Sequence, residues 1–235
     1  IKYKRIPLDG KFNINFEDYL IKNGGVIFPN PNAPTGIPKK LIEIENFLNI
    51  NQDSVIVVDE AYVDFGTESA VQLVKQYKNL VVTQSFSKSR SLAGLRLGYA
   101  FANEDLIEAL NRIKNSFNSY PIDCIAQIAG IEAIKDDNYF IQTRDKIIKA
   151  RSFLEKELIL NGFEALPSGA NFIFIRHKSK DANFIFKQLR SSGVLVRYFD
   201  TPKRISQFLR ITIGTMKDMQ KLISILKVII SDEKS

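Results

Sequence analysis

Short apolar runs alternate with amphipathic segments through the first half of the chain. Runs rich in Val, Ile, Leu and Phe at residues 25–28, 54–58 and 80–82 predict strands, and the apolar spacing at residues 38–48 and 68–77 predicts helices between them. Because these runs lack polar alternation, the strands are expected to be covered on both faces, as in a parallel sheet with helical crossovers. The pattern therefore predicts an α/β fold.

Helical patterns dominate the middle of the chain and lead to a second group of short strands. Asn103 is expected to cap a helix that extends to about residue 113, and Pro121 is expected to open the next helix. The amphipathic pattern of residues 139–160 is long enough to link two domains. The last third predicts an α+β unit, with strands at residues 172–175, 194–196 and 209–213 and helices at residues 181–189 and 217–230.

The order of these elements predicts two domains. A chain of 235 residues with 45% hydrophobic residues can bury a sizeable core in one large or two modest domains. We expect a large, parallel-rich domain at residues 1–138 and a smaller domain at residues 139–235 that includes the connecting helix. Residues 231–235 are expected to fray.

Charge and composition exclude several classes of protein. The net charge is +7, but Lys and Arg are interspersed with Asp and Glu, which indicates a solvated surface or an anionic small-molecule ligand rather than nucleic acid. No run approaches the roughly 20 apolar residues of a membrane span, and the first residues lack a signal-peptide pattern, so a cytoplasmic location is expected. Cys124, the single cysteine, is expected to be a structural thiol on a helix.

Residues with useful chemistry collect where the predicted strands end, which is where ligands bind in open α/β sheets. Residues 29–36 form a rigid Pro-rich loop that by itself indicates only a structural turn. The pair Asp59 and Glu60 could cap a helix, partner a buried cation or hold Mg²⁺, although the absence of nearby His and Cys argues against a metal. Lys88 lies among hydroxyl groups with Arg96 eight residues later, which suits an anion site with an amine nucleophile, or else a solvated face.

Four segments resemble the motifs of the fold-type I aminotransferases, in the same order along the chain. They are the loop Asn-Pro-Asn-Ala-Pro-Thr-Gly (residues 30–36), the acidic segment Asp-Glu-Ala-Tyr (59–62), the lysine segment from Ser85 to Gly98 and the segment Leu-Arg-Ile-Thr-Ile-Gly (209–214). Residues 86–96, 115–118 and 194–197 are most similar to the histidinol-phosphate aminotransferase family, with the threonine-phosphate decarboxylases close behind.

The resemblance implies a fold, a cofactor and a reaction. The fold would be an aspartate-aminotransferase-like large domain with a small α+β domain, and the cofactor would be pyridoxal 5′-phosphate. The reaction would move an amino group between L-histidinol phosphate and 2-oxoglutarate, forming glutamate, in histidine biosynthesis. Members of the family are expected to be homodimers, without nucleic-acid, membrane or metal partners.

The resemblance also implies catalytic roles. Lys88 would hold the cofactor as a Schiff base and move a proton, and Asp59 would pair with the pyridine nitrogen. Tyr62 would donate to the phenolic oxygen of the cofactor. The family's usual Asn donor to that oxygen is replaced by Ala33, so Tyr62 would act alone unless Asn32 or another Asn of the loop compensates.

Further residues are implied to bind anions. Ser85, Ser87 and Arg96 would hold the cofactor phosphate, because hydroxyl and guanidinium donors suit a dianion. The substrate would be bound by Arg210 for a carboxylate or equivalent anion, Arg197 for a second anion such as the substrate phosphate, and Asn171. Both arginines could instead form surface ion pairs, and Asn171 could be a turn residue.

The chain begins inside the family's pattern, so an N-terminal part of the large domain is expected to be missing. In relatives that part supplies a helix N-terminus that binds the cofactor phosphate. A non-enzymatic alternative therefore remains, in which the chain is an inactive fragment.

Overall fold

The computed structural model describes residues 1–231. Fraying is predicted for residues 231–235; Ser231 is instead the last residue of a helix, and residues 232–235 lie outside the described part of the chain. Eight strands form two sheets. The N-terminal sheet contains β1 (Gly25–Pro29), β2 (Val55–Asp59), β3 (Leu80–Ser85) and β4 (Gly98–Ala102), and the C-terminal sheet contains β5 (Phe163–Ala165), β6 (Phe172–His177), β7 (Arg197–Tyr198) and β8 (Leu209–Thr212). The α-helices are α1 (Leu41–Ile50), α2 (Glu104–Phe117), α3 (Cys124–Lys135), α4 (Asp137–Leu160), α5 (Ala182–Ser191) and α6 (Met216–Ser231).

The N-terminal sheet confirms the predicted α/β fold, but the expected cover on both faces is wrong for β1, where Ile27 is 71% exposed. Strands β1, β2 and β3 are parallel neighbours, and β4 joins the edge antiparallel to β3. Ile56, Val58 and Val82 are fully buried in a core that α1 completes with Ile44 and Leu48. Because the strands are parallel, the ends of β2 and β3 lie side by side at one edge of the sheet.

The C-terminal sheet is antiparallel, in the order β5-β6-β8-β7. Helices α4, α5 and α6 supply apolar residues to its core, for example Leu154, Leu189 and Leu226. The long helix α4 closely matches the predicted connecting helix, and Asp136 caps it by accepting from the Tyr139 N–H. None of the described helices is both long and apolar enough to cross a membrane.

Several local predictions are wrong. Instead of a helix at residues 68–77 there is only a 3-10 turn at Ala70–Leu73, after which the Val74 and Gln76 N–H groups bond to carbonyls three rather than four residues earlier. The first turn predicted at residues 38–40 is extended, and α1 begins at Leu41. Likewise, residues 194–196 are not a strand, because the Val194 N–H bonds back to the end of α5 and pairing starts only at β7.

The interpretation of the segment around Cys124 is also corrected. Pro121 precedes α3 without belonging to it, because Asp123 is the N-cap and accepts from the Ala126 N–H at 2.9 Å. Helix α3 therefore begins at Cys124, and the thiol is exposed rather than packed as a structural group.

Candidate active site

The centre of the candidate site is the edge where β2 and β3 end. Asp59 is the last residue of β2, and Lys88 lies three residues beyond the end of β3. The Lys88 Nζ lies 5.3 Å from the centre of the Tyr62 ring, on its face, and no carboxylate of the described chain lies within 4 Å of that amine. Asp59 is half-buried, and its Oδ1 accepts from the Ala61 N–H at 3.1 Å. The structure thus brings Lys88 and Tyr62 together beside the strand end that carries Asp59.

The two adjacent acids have different environments. Glu60 is only 1% exposed, and its carboxylate accepts from the Ser69 hydroxyl at 2.6 Å, the Ala70 N–H at 2.6 Å and the Gln84 side chain at 2.8 Å. Burial raises the pKa of Glu60, and these three hydrogen bonds oppose the rise. Glu60 therefore links the end of β2 to β3 and to the following turn. The Asp59 carboxylate, by contrast, can still accept hydrogen bonds from a ligand. Within residues 1–231 there is no cluster of three His, Cys, Asp or Glu side chains that could hold a metal.

The loop that carries Lys88 is anchored by the two residues that follow the lysine. Ser89 is buried and donates its hydroxyl to the Asp64 carboxylate. The Arg90 guanidinium lies 3.7 Å from the centre of the Phe140 ring and donates to a backbone carbonyl in the last turns of α3 at 2.6 Å. Sequence reasoning missed these anchors, because Asp64 and Phe140 are distant in sequence. The exposed Lys88 side chain consequently projects from a fixed backbone.

The three candidate phosphate ligands lie where β3 ends and β4 begins. The Ser85 Oγ accepts from the Ser87 N–H at 3.0 Å. Ser85 pairs with Gly98 across β3 and β4, and the Phe86 N–H donates to the Leu97 carbonyl at 3.1 Å, one position beyond the paired residues. Arg96 is exposed, has a left-handed backbone (φ 53°) and donates to the Ala93 carbonyl at 3.1 Å. Ser85 and Ser87 thus lie together at the end of β3, whereas Arg96 lies in the turn before β4 with its guanidinium hydrogen-bonded to that turn.

In the Pro-rich loop, the side-chain oxygens of the two asparagines accept hydrogen bonds from neighbouring residues of the chain. The buried Asn32 accepts from the Thr35 hydroxyl at 3.0 Å, and Asn30, which is fully buried, accepts from the Lys39 N–H at 2.7 Å. Neither amide forms a hydrogen bond with Tyr62 within the described chain, and Ala33 is exposed. Both side-chain oxygens are therefore bonded within the loop, and donation from Asn32 to the cofactor in place of Ala33 stays a prediction.

The two candidate substrate arginines are cross-strand neighbours in the C-terminal sheet. Arg210 of β8 pairs directly with Arg197 of β7. The Nε of Arg210 is buried and has no hydrogen-bond partner in residues 1–231, whereas Arg197 is exposed, with its guanidinium 5.4 Å from the centre of the Phe199 ring. Like charges in directly opposed positions destabilise a sheet, so this pair is suited to an anion that would neutralise both.

An aromatic row connects the two sheets. We use this name for Lys88, Tyr62, Phe172 and Arg210, in that spatial order. The rings of Tyr62 and Phe172 meet edge to face with centres 5.1 Å apart, and the Arg210 guanidinium carbon lies 5.1 Å from the Phe172 ring centre. Sequence reasoning took Phe172 only as a strand residue. The one available signal was its position directly after Asn171.

Asn171 is half-buried at the start of β6. Its carbonyl accepts from the Ile213 N–H at 2.8 Å and so joins the ends of β6 and β8. It is therefore adjacent in sequence to the aromatic row, while its role toward a ligand stays a prediction.

These groups fit pyridoxal phosphate. The cofactor needs an amine, a carboxylate for its ring nitrogen and donors for its phosphate, which Lys88, Asp59 and the residues Ser85, Ser87 and Arg96 provide. The unpartnered Arg210 Nε independently indicates an anionic ligand. Lys88, Asp59 and Arg210 thus retain hydrogen-bonding capacity for a ligand.

Comparison with known proteins agrees with this chemistry. The family model "Aminotransferase class I and II" matches residues 1–226. The chain belongs to this family. A histidinol-phosphate aminotransferase of Pseudomonas syringae pv. syringae (strain B728a) is 54% identical over 223 residues, covering 95% of this chain and 63% of the relative. The chain thus spans somewhat less than two thirds of that relative's length.

Solved structures show the same family fold. The histidinol-phosphate aminotransferase from Clostridium acetobutylicum has a TM-score of 0.87 and 27% identity, covering 96% of this chain and 70% of that one. The enzyme of the same name from Sinorhizobium meliloti, solved in complex with pyridoxal-5′-phosphate, has a TM-score of 0.83 and 24% identity, covering 96% and 63%. The structure from Sinorhizobium meliloti, which contains pyridoxal-5′-phosphate, thus shares the fold of this chain.

Proposed function

We propose that this protein is a pyridoxal-phosphate-dependent transaminase that moves the amino group of L-histidinol phosphate to 2-oxoglutarate, in histidine biosynthesis. The observation that carries the proposal is the aromatic row, in which a lysine amine without an acidic partner in the described chain faces an unpartnered arginine across two rings. The 54% identity to a relative named histidinol-phosphate aminotransferase supports this substrate. We further propose domains at residues 1–138 and 139–235 and a cytoplasmic homodimer.

The N-terminal sheet supplies the groups that act on the reacting atoms. When bound, the cofactor supplies a ring that accepts the electrons released at the substrate Cα. Lys88 would hold the cofactor, and once the substrate amine has displaced it, the freed Lys88 amine would take the proton from Cα. Asp59 would keep a proton on the ring nitrogen, and Tyr62 would donate its hydroxyl to the phenolic oxygen. Ser85, Ser87 and Arg96 would bind the phosphate.

The C-terminal sheet supplies the substrate cations. Arg210 and Arg197 lie opposite each other, so one phosphate dianion or one distal carboxylate can accept hydrogen bonds from both. Histidinol phosphate and 2-oxoglutarate both carry such an anion away from the reacting centre, and they can therefore use the same arginines in turn. Asn171 lines this side of the site.

The test is a half-reaction followed by its reverse. Pyridoxal phosphate is added to the purified protein and the visible absorbance of the lysine-bound cofactor is recorded. Histidinol phosphate should bleach the band and 2-oxoglutarate should restore it, whereas Lys88→Ala should show neither change.

The other outcomes each point to a different function. Bleaching by another amine but not by histidinol phosphate would contradict the proposed substrate. Release of CO₂ from threonine phosphate would assign a decarboxylase. Absence of cofactor binding in equilibrium dialysis would support an inactive fragment.

A further inference from the structure

Arg151 is a buried cation that the proposed mechanism does not use. It lies on α4 and is 8% exposed, and no carboxylate of the described chain comes within ion-pairing distance of it. Burial lowers the pKa of Arg151, and the charge of Glu155 only partly opposes this. A buried guanidinium is costly unless its N–H groups are bonded, so the partners of Arg151 show what it does in the fold.

The partners of Arg151 are two backbone carbonyls from opposite sides of the candidate site. Its Nη1 donates to the Phe65 carbonyl at 2.8 Å and to the Ala170 carbonyl at 2.6 Å. Phe65 belongs to the short turn that follows Tyr62, and the Phe65 N–H donates back to the Tyr62 carbonyl at 3.3 Å. Ala170 is two residues before Phe172. Arg151 thus joins the backbones that carry the two rings of the aromatic row.

Neighbouring contacts hold the same segment. The Gly169 N–H donates to the Gly36 carbonyl at 2.9 Å, and the Thr67 hydroxyl donates to the Gly169 carbonyl at 3.3 Å. Gly36 has a φ of 83°, and a Cβ built there would lie 2.6 Å from the Ser168 Oγ, so only glycine permits this close approach. Residues 168–170 are therefore fastened to loops of the N-terminal sheet at three points.

We propose that Arg151 is a positioning residue for substrate binding: it fixes the start of β6 against the turn after Tyr62, and so sets the distance between Arg210 and Lys88. Arg151 itself touches neither substrate nor cofactor. Because the cofactor ligands belong to the N-terminal sheet and the anion ligands to the C-terminal sheet, loosening this tie weakens substrate binding more than it affects cofactor binding or the proton transfer. The inference rests on the proposed function.

The experiment measures KM and kcat separately in the holoenzyme of Arg151→Lys. Lysine keeps the charge, but it is shorter and more strongly hydrated than arginine, so the bonds to the two carbonyls are weakened. The KM for histidinol phosphate should rise about tenfold while kcat changes by no more than about twofold, and the Kd for pyridoxal phosphate should stay unchanged. Hydrogen exchange should become faster in peptides that cover residues 166–172.

Two further variants make the test specific. Arg144→Lys is the matched control, because Arg144 lies on the same helix but pairs with Asp145 at 2.8 Å, and it should leave KM unchanged. Thr67→Val removes only the hydroxyl bond to Gly169 and should raise KM in the same direction by a smaller factor. If Arg151→Lys fails to fold, Thr67→Val decides the question.

The results that would overturn the inference are an unchanged KM in Arg151→Lys, a fall in kcat as large as the rise in KM, or weaker pyridoxal phosphate binding. Arg210→Lys separates this failure from failure of the proposed function. If Arg210→Lys raises KM and Arg151→Lys does not, only the role of Arg151 is wrong. If Lys88→Ala keeps full activity, the proposed function is wrong. The hydrogen-exchange comparison still tests whether Arg151 holds residues 166–172 in place.

Discussion

In the N-terminal sheet the candidate residues lie at or beyond strand ends, as with Asp59 and Lys88, whereas in the C-terminal sheet Arg197 and Arg210 lie within paired strands. Parallel strands gather their ends at one edge, so side chains that are distant in sequence meet there whatever the detailed register. Antiparallel neighbours meet only if the register is right. Candidate residues at strand ends can therefore be located from the sequence, whereas the proximity of Arg197 and Arg210 depends on how β7 and β8 pair.

The two regions also differ in how many partners the candidate residues have. Asp59 accepts one backbone hydrogen bond, and its neighbour Glu60 accepts three from the surrounding fold. In the other sheet, the buried Arg210 Nε has no partner in the described chain, and the exposed Arg197 stacks on a ring. The Asp59 carboxylate and the Arg210 guanidinium therefore have the most hydrogen-bonding capacity left for a ligand, and substitutions within the two pairs test this assignment.

Asp59→Ala should have the largest effect. Losing the carboxylate at the ring nitrogen should lower kcat by roughly a hundredfold or more, because the ring then accepts electrons poorly. The free energy of unfolding should change by about 1 kcal/mol or less, since only one hydrogen bond is lost. Steady-state kinetics and urea unfolding measure the two effects. Asp59→Asn, which keeps an acceptor for the Ala61 N–H, should also lose turnover. Normal turnover in both variants would contradict a catalytic role for Asp59 and remove its difference from Glu60.

Arg210→Lys should have the next largest effect. Lysine cannot provide the bidentate geometry, so the KM for histidinol phosphate should rise about tenfold or more. Arg197→Lys is the matched variant on the neighbouring strand, and it should raise KM by a smaller factor because Arg197 is exposed. A larger effect at Arg197 would instead place the main anion contact at the edge strand.

Glu60→Gln should affect stability rather than chemistry. The new amide group would face N–H and O–H donors, so the free energy of unfolding should fall by about 1–3 kcal/mol. Urea unfolding at neutral pH measures this fall. A folded variant should keep kcat within about threefold of the wild-type value. A Glu60→Gln protein with unchanged stability would remove the distinction between the two acids.

A smaller effect is expected at His177, the single histidine of the chain. Burial against the Phe163 ring lowers the pKa of His177, and Lys180 and Lys178 add to the effect. The unfolded chain therefore binds the proton at higher pH than the folded one, and stability that is present above pH 6.5 is lost as the pH falls through the folded-state pKa. An NMR titration should show one imidazole with a pKa below 6.5. His177→Asn should reduce the loss of stability on acidification, and an equal loss in this variant would contradict the assignment.

The sequence was sufficient for the family, for the α/β class and for the order of the motifs around Lys88 and Asp59, because buried apolar runs and strand-end residues are local signals. Contacts between distant segments were not visible. The helix predicted at residues 68–77 was wrong: this segment forms only a short 3-10 turn, whose Ala70 and Leu73 pack into the core of the N-terminal sheet. Phe172 was missed because its partner Tyr62 lies 110 positions earlier in the sequence. The roles of the candidate ligands stay predictions.

The most direct test of the central claim is to identify the lysine that carries the cofactor. The protein is incubated with pyridoxal phosphate, reduced with borohydride to make the attachment permanent, digested and mapped by mass spectrometry. We expect a modified peptide that contains Lys88, and no such peptide from Lys88→Arg. Stoichiometric modification of a different lysine, or none at all, would contradict it.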